Sequence, residues 1–310
     1  MLTTALRAAL LVGGLLAGSW AISCAQNVRP AVAPAGYFHT YPIDRNTYAI
    51  SEPKYWQGNV SYLLLGTRRA LLFDTGPGIY SLRAEVLKLT HLPILVIPSH
   101  LHFDHVGDIQ EFSDVGVIDL PELRAEVRNG KLVESADEFL VSSYTWSFHV
   151  SEWLKDGTVI DLGDRSVLLI STPGHTRNSV SLIDRQHKQL FIGDIVNHGV
   201  TLIDVPGSDI HQMVNSLHRM QALAVPGSLL YEAHSETPIS WEELTQLADG
   251  ATAIAAGQAH YTQTCLANVP QHRYDVGVFP ILLPAESGDA GLLPKFKSAT
   301  QEIEWIAACK

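Results

Sequence analysis

His100-Leu101-His102-Phe103-Asp104-His105 puts three imidazoles and one carboxylate into a single short stretch. Imidazole nitrogen and carboxylate oxygen are the donors that borderline divalent cations such as Zn²⁺ take. One histidine there would as readily be a packed or solvated side chain. Four ligand-type side chains in one loop are hard to explain by packing or solvation. The chemistry they point to is activation of water by a bound metal, and so hydrolysis.

Three other strand-like runs end close to the same residue types. Ser166 to Ile170 leads into Thr172-Pro173-Gly174-His175-Thr176, Leu190 to Ile192 into Gly193-Asp194, and Leu229 to Tyr231 into Glu232-Ala233-His234. In layered folds, sites form where loops at strand ends converge. The candidate ligands are therefore His100, His102, Asp104, His105, His175, Asp194 and His234. Two four- or five-coordinate cations need about that many protein ligands if they share a bridging carboxylate and a water. His198, four residues beyond Asp194, could line the pocket, whereas His211 and His218 are expected to face solvent.

The elements that must position these residues have their own signals. Strands are expected over Thr47 to Ile50, Val60 to Leu65 and Ala70 to Phe73, with Gly66-Thr67-Arg68-Arg69 as a hairpin connection. Ser81 to Leu89 has helical spacing, and Ile94 to Ile97 reads as a short buried strand stopped by Pro98. Thr158 to Leu162 and Ser166 to Ile170 flank the turn Gly163-Asp164, and Ser179 to Ile183 alternates. Ser208 can cap a helix carrying Ile210, Met213, Val214, Leu217 and Met220. Ser240 with Glu243 makes a capping box ahead of Leu244, Leu247, Ala251 and Ile254. Strands alternating with amphipathic helices predict a layered α/β or α+β domain. Beyond Tyr261 the pattern supports only a final helix from Ser298 to Ala308.

Length and composition set bounds. The 310 residues suffice for one large domain or two modest ones, and a 46% hydrophobic content can fill a core. A net charge of −11 and the lack of any basic block argue against a nucleic-acid partner and otherwise read as plain solubility; the partner expected of a metal-activated water is a small-molecule substrate. Arg7 precedes an apolar stretch, Ala8 to Ile22, too short for a comfortable membrane span. With Ser23-Cys24-Ala25 following, it reads as a cleaved signal and predicts export to the periplasm or medium. Trp20-Ala21-Ile22-Ser23-Cys24 also resembles a lipobox, which would attach the protein to a membrane through an acylated Cys24. In an oxidising compartment Cys265 and Cys309 are expected to form a disulfide, with two unpaired thiols as the alternative.

The histidine cluster resembles the signature motif of the metallo-β-lactamase superfamily. Phe73-Asp74-Thr75-Gly76 matches its first motif and Pro173-Gly174-His175-Thr176 its third, while Asp194 and His234 fall where the family places a bridging Asp and a last His. The resemblance covers about residues 45 to 256. It implies an α+β fold, the four-layer αβ/βα sandwich, with two mixed sheets packed face to face and helices outside. It implies that His100, His102 and His175 hold one cation, that Asp104, His105 and His234 hold the other, and that Asp194 bridges them. Asp74 would orient a ligand or loop. The expected organisation is a signal over residues 1–24, a linker over 25–36, the family domain over 37–260 and an extension over 261–310.

Two divalent cations, zinc first and iron or manganese as alternatives, would supply hydroxide near neutral pH to attack an ester, a lactone or a related small substrate. Asp104 would steer that hydroxide or relay a proton. No Gly-x-Ser-x-Gly elbow offers a serine route. β-Lactam hydrolysis is the first alternative, although Asp194 stands where β-lactamases carry Cys or Ser. A non-hydrolytic metal-binding protein or redox iron protein of the same fold is the second. Export and the scarcity of Lys and Arg after Arg219 weigh against a glyoxalase-type thioesterase. Asn197 stands where lactonase-like members carry Tyr, and Arg177-Asn178 replaces a common Pro-Gly. Phe139, Tyr144, Trp146, Phe148 and Trp153 either overhang the site or pack a helical insertion onto the core.

Overall fold

A computed structural model describes residues 33–133, 146–266 and 269–285. The chain starts with β1 (His39–Asp44), β2 (Thr47–Ser51), β3 (Val60–Leu65) and β4 (Ala70–Phe73), which pair antiparallel in that order. The helix α1 (Leu82–Val86), capped by the Ser81 side chain, then returns the chain so that β5 (Ile94–Ile97) pairs parallel with β4. The short helices α2 (Phe103–Val106) and α3 (Pro121–Ala125) and the strands β6 (Gly116–Ile118), β7 (Val127–Arg128), β8 (Lys131–Val133), β9 (Ser147–Phe148) and β10 (Glu152–Leu154) follow. A second five-stranded sheet contains β11 (Val159–Asp161), β12 (Ser166–Ser171), β13 (Val180–Asp184) and β14 (Gln189–Gly193). After β15 (Thr201–Leu202) and α4 (Ile210–Leu223), β16 (Leu229–Glu232) closes that sheet by pairing parallel with β14. The helix α5 (Trp241–Ala255) and the strands β17 (Thr262–Leu266), β18 (Val269–Val276) and β19 (Phe279–Pro284) complete the described chain.

Side-chain alternation explains why two layers cover the second sheet. Along a strand, successive side chains point to opposite faces. Leu169, Leu182, Phe191 and Tyr231 join the core shared with the first sheet, whereas their neighbours Ile170, Ile183, Leu190 and Leu230 join a second core with Met213, Leu217, Leu244, Leu247 and Ala251 of the two long helices. Tyr62 and Phe191 meet between the sheets with ring centroids 5.1 Å apart. The result is an α+β sandwich of two mixed sheets with helices outside. Among the described residues no helix is long and apolar enough to cross a membrane.

The mixed pairing positions the site. β4 and β5 run parallel, as do β14 and β16, and β12 runs antiparallel to β13, which is antiparallel to β14. The strands that precede Asp74, His100, His175, Asp194 and His234 therefore finish at the same edge. There the two layers are tied by Val180 N donating to Ser99 O (2.7 Å) and Val60 N to Ala233 O (2.7 Å). At the other edge the buried Arg165 guanidinium meets Asp184 Oδ2 at 2.5 Å and Thr47 Oγ1 at 3.0 Å.

Several sequence expectations change. The cap of α4 is Asp209 rather than Ser208; its carboxylate accepts from His211 N and Gln212 N. The capping box of Ser240 and Glu243 is present. Residues 146–157 carry β9 and β10, while residues 134–145, the rest of the segment in which a helical insertion is expected, lie outside the described residues. The stretch after Tyr261, without a clear pattern, forms the antiparallel strands β17 to β19, with β19 pairing parallel to β15. Phe139, Tyr144, Cys309, residues 1–32 and the helix expected from Ser298 lie outside the described residues.

Candidate metal centre

Each of the five strand ends delivers one part of the site. β5 leads into Ser99-His100; His102 occupies the N-cap position of α2 without a side-chain capping bond, and that single turn presents Asp104 and His105 together. The loop after β12 carries His175, the turn after β14 carries Asp194, and the turn after β16 carries His234. Gly193, at φ 54°, makes the turn into Asp194, and a Cβ there would lie 2.5 Å from Ser99 Cβ. Only glycine accepts both the left-handed backbone and that close approach.

All seven expected ligands come together. Their ligand atoms form three overlapping groups, each within 4.8 Å: His100, His102 and His175; His100, His105 and Asp194; and Asp104, His105 and His234. His102 Nδ1 lies 2.8 Å from His100 Nε2 and 3.1 Å from His175 Nε2. The other nitrogens of those two rings are already engaged. His175 Nδ1 donates to Leu202 O at 2.8 Å, and His100 Nδ1 sits 3.0 Å from Ser99 Oγ. Three imidazole lone pairs thus converge, an arrangement that suits a cation. His234 Nε2 is 2.9 Å from Asp194 Oδ2 and 3.7 Å from Asp104 Oδ2. His105 Nε2 lies 3.4 Å from Asp104 Oδ2 and 3.5 Å from Asp194 Oδ1, beyond ordinary hydrogen-bond length.

These residues fit a divalent metal on their own chemistry. His105 Nε2 and Asp194 Oδ1 are buried at the centre without a hydrogen-bond partner among the described residues. Buried polar atoms of that kind are costly unless something satisfies them. Burial, reinforced by neighbouring imidazoles, holds His100 well below the usual histidine range and His102 at about 3, the neutral state in which imidazole binds metal. Burial also lowers His175, against the pull of Asp194. Burial works against charge on His105 and His234 as well, but the flanking carboxylates reverse it. His105 is raised well above its ordinary value by Asp104, Asp194 and Asp74, and His234 to about 9 by Asp194 and Asp104. Asp104 and Asp194 resist burial in turn, because His105 and His234 hold both well below the carboxylate range. A site that favours positive charge so strongly between two carboxylates suits a cation.

A second ring of residues holds the ligands in place. Asp74 Oδ2 sits 2.9 Å from His105 Nδ1, and Asp74 Oδ1 accepts from Ser99 N at 2.5 Å. Asn59 Nδ2 donates to both Oδ2 and the backbone carbonyl of Asp104, at 3.0 Å each. His234 Nδ1 meets Gln57 O at 3.2 Å. Sequence reasoning finds Asp74 but misses Asn59, Ser99 and Glu232. Their residue types are ordinary, and only the fold shows what they touch. His198 pairs with Glu232 and not with any ligand, and that hydrogen bond raises its pKa. His211 and His218 are exposed.

The substrate-shaping candidates divide. Asn178 Oδ1 accepts from Leu101 N at 3.2 Å, fastening the His175 loop to the first histidine motif, while Arg177 is exposed. Trp146 and Phe148 are buried in the inner core, and Trp153 stacks under Arg124 with 4.6 Å between the guanidinium carbon and the ring centroid. The described aromatics therefore pack the body of the protein.

Residues 55–260 match the metallo-beta-lactamase superfamily. Among curated proteins, the chain is similar to the acyl-coenzyme A thioesterase MBLAC2 of Gallus gallus, 31% identical over 62% of this chain and 77% of that protein. It is 29% identical to the hydroxyacylglutathione hydrolase of Bdellovibrio bacteriovorus, over 54% of this chain and 58% of that one. Among solved structures, a metallo-beta-lactamase from Pontibacter korlensis shares the fold with a TM-score of 0.53 and 16% identity, over 69% of this chain and 99% of that chain.

Proposed function

The chain belongs to the metallo-beta-lactamase superfamily and is a metal-dependent hydrolase; from that premise we propose a two-metal enzyme that cleaves acyl thioesters or the related esters and lactones. The observation that carries this reading is the convergence of His100, His102, His175, Asp194, Asp104, His105 and His234 in overlapping groups within 4.8 Å. His100, His102 and His175 would hold one cation, Asp104, His105 and His234 the other, and Asp194 would stand between them. When bound, such a pair makes hydroxide available from water at neutral pH and stabilises negative charge that develops on the carbonyl oxygen.

The protein's own groups do the rest. Asp104 is pinned through Oδ2 by Asn59, which fixes its carboxylate where it would hold the second cation and steer the nucleophile. Asp74 keeps the His105 ring turned so that Nε2 faces the centre. The substrate class follows the thioesterase names of the relatives, which the sequence alone ranks lower on grounds of export and charge. A thioester, an ester and a lactone share the carbonyl that such a site attacks.

Purified, zinc-loaded protein should be tested on acyl-coenzyme A, acylglutathione, aryl esters, lactones and β-lactams. Thioester turnover that falls at least about a hundredfold in His102→Ala and Asp104→Ala supports the reading. Full activity in both variants, or no turnover of any class by fully loaded enzyme, overturns it. Export is a separate proposal, resting on residues 1–25. Amino-terminal sequencing of the protein from its native cell would find a start at Cys24 or Gln26 if the segment is removed, and Met1 if it is not.

A further inference from the structure

Glu232 is fully buried at the end of β16, two residues before His234. A buried carboxylate is unfavourable unless it is fully hydrogen-bonded. Among the described residues, the side chain's donors all come from one place, the loop just beyond Asp194. Oε1 accepts from His198 N at 2.8 Å and faces His198 Nδ1 at 2.5 Å. With the Asn197 amide oriented to satisfy its neighbours, Nδ2 donates to Oε2 at 2.7 Å and to Val196 O at 3.1 Å. The backbone strengthens the same junction. Ala233 N donates to Gly193 O at 3.3 Å, and Glu232 O accepts from the Tyr62 hydroxyl. Behind the His198 ring stands Phe279 of β19, with centroids 5.0 Å apart.

We propose that Glu232 is a positioning residue that locks the Asp194 loop to the His234 turn, so that these two ligands are presented to the second cation as one unit. The inference rests on the two-metal reading above. Asp194 and His234 sit on different strands, yet their ligand atoms lie 2.9 Å apart. The parallel pairing of β14 and β16 brings the strand ends side by side but is irregular there, with a register shift between Phe191 and Gly193. Glu232 spans this irregular end with side-chain bonds. Without its carboxylate, three donors lose their partner and the Asp194 loop loses the side-chain bonds that fasten it to the end of β16. Outer partners of this kind typically alter metal affinity by about 10- to 100-fold.

The test uses the full chain with Zn²⁺ and Co²⁺. Metal content, chelator-competition affinities, the Co²⁺ absorption spectrum and thermal unfolding are measured for the wild type and the variants Glu232→Ala, Glu232→Gln and Leu230→Ala. Leu230, buried in the same strand with its side chain in the outer core, controls for simple loss of stability. The wild type should bind two equivalents. Glu232→Ala should bind the second at least about tenfold more weakly and change the Co²⁺ spectrum. Glu232→Gln, which keeps an acceptor for His198 N, should recover part of the loss. Leu230→Ala should melt lower yet keep both equivalents at wild-type affinity. Retention of both equivalents at wild-type affinity by Glu232→Ala overturns the proposal, as does an equal loss in Leu230→Ala. Should Glu232→Ala fail to fold, the Asn197→Ala, His198→Ala double variant carries the same expected and overturning results. A wild type that binds fewer than two equivalents overturns the two-metal reading itself, before any variant is compared.

Discussion

Asp74 and His105 form a buried pair, with Asp74 Oδ2 2.9 Å from His105 Nδ1 and both side chains almost wholly shielded from solvent. Asp74 sits at φ 66°, in the left-handed region, where Asp is among the better-tolerated residues. Its other oxygen takes the Ser99 N–H. One carboxylate therefore fixes the orientation of a ligand ring and the start of the histidine motif.

Asp74→Asn is expected to uncouple those roles. The amide oxygen can still accept from Ser99 N, but the NH₂ would face His105 Nδ1, which favours the tautomer with the proton on Nε2. Zinc affinity should fall by about 10- to 100-fold while the fold persists. Zinc titration alongside circular dichroism measures both, and unchanged affinity would refute the orienting role.

Gly193 permits no side chain without displacement of Ser99. Gly193→Ala combines a left-handed backbone with a steric clash, so a loss of about 1–3 kcal/mol in stability is expected. Because Asp194 follows directly and Ser99 precedes His100, metal content should fall too. Denaturant unfolding and elemental analysis test the two effects separately.

Glu52 is buried beside the same region, and burial, with Asp108 and Asp104 nearby, raises its pKa from 4.5 to about 8 against the opposing influence of the Tyr37 hydroxyl. The folded state therefore holds a proton that the unfolded chain has released between pH 4.5 and about 8. Stability supplied by this group is present below pH 4.5 and declines as pH rises through that window. Glu52→Gln, always neutral, should flatten the decline and exceed the wild type at pH 8 by at least about 1 kcal/mol, since a tenfold difference in proton affinity between folded and unfolded chain corresponds to about 1.4 kcal/mol. Denaturant midpoints of chelator-treated protein at several pH values decide it; parallel slopes in the two proteins would remove Glu52 as the cause.

The central strands were legible because they are apolar runs of four to six residues ended by Gly, Pro or Asp, and β3, β4 and β5 match their expected limits. The ligands were legible because ligand-type residues follow those runs directly. What escaped was local or tertiary. Phe103 to Val106 forms one helical turn inside the histidine motif, too short to show a period. Asp209 outcompetes Ser208 as a cap, and no spacing rule separates adjacent capping residues. Glu232 and Asn59 gain their roles from partners 34 and 45 residues away in sequence.

The terminal strands were hidden for a different reason. Pro270 lies in β18, while Pro280 and Pro284 lie in β19, and proline normally argues against an inner strand. Yet Phe279 and Ile281 are completely buried and complete the outer core against the long helices. Phe279 also backs the His198 ring that partners Glu232. Phe279→Ala is thus expected to cost about 3–5 kcal/mol in stability, the usual range for emptying a buried aromatic position. It should also weaken binding of one metal equivalent, because the ring that supports His198 is gone. Ile281→Ala, in the same strand and equally buried, should cost about 2–5 kcal/mol without that second effect. Unfolding curves and metal titrations of the two variants side by side separate packing from support of the site; equal metal affinities would leave β19 a packing role alone.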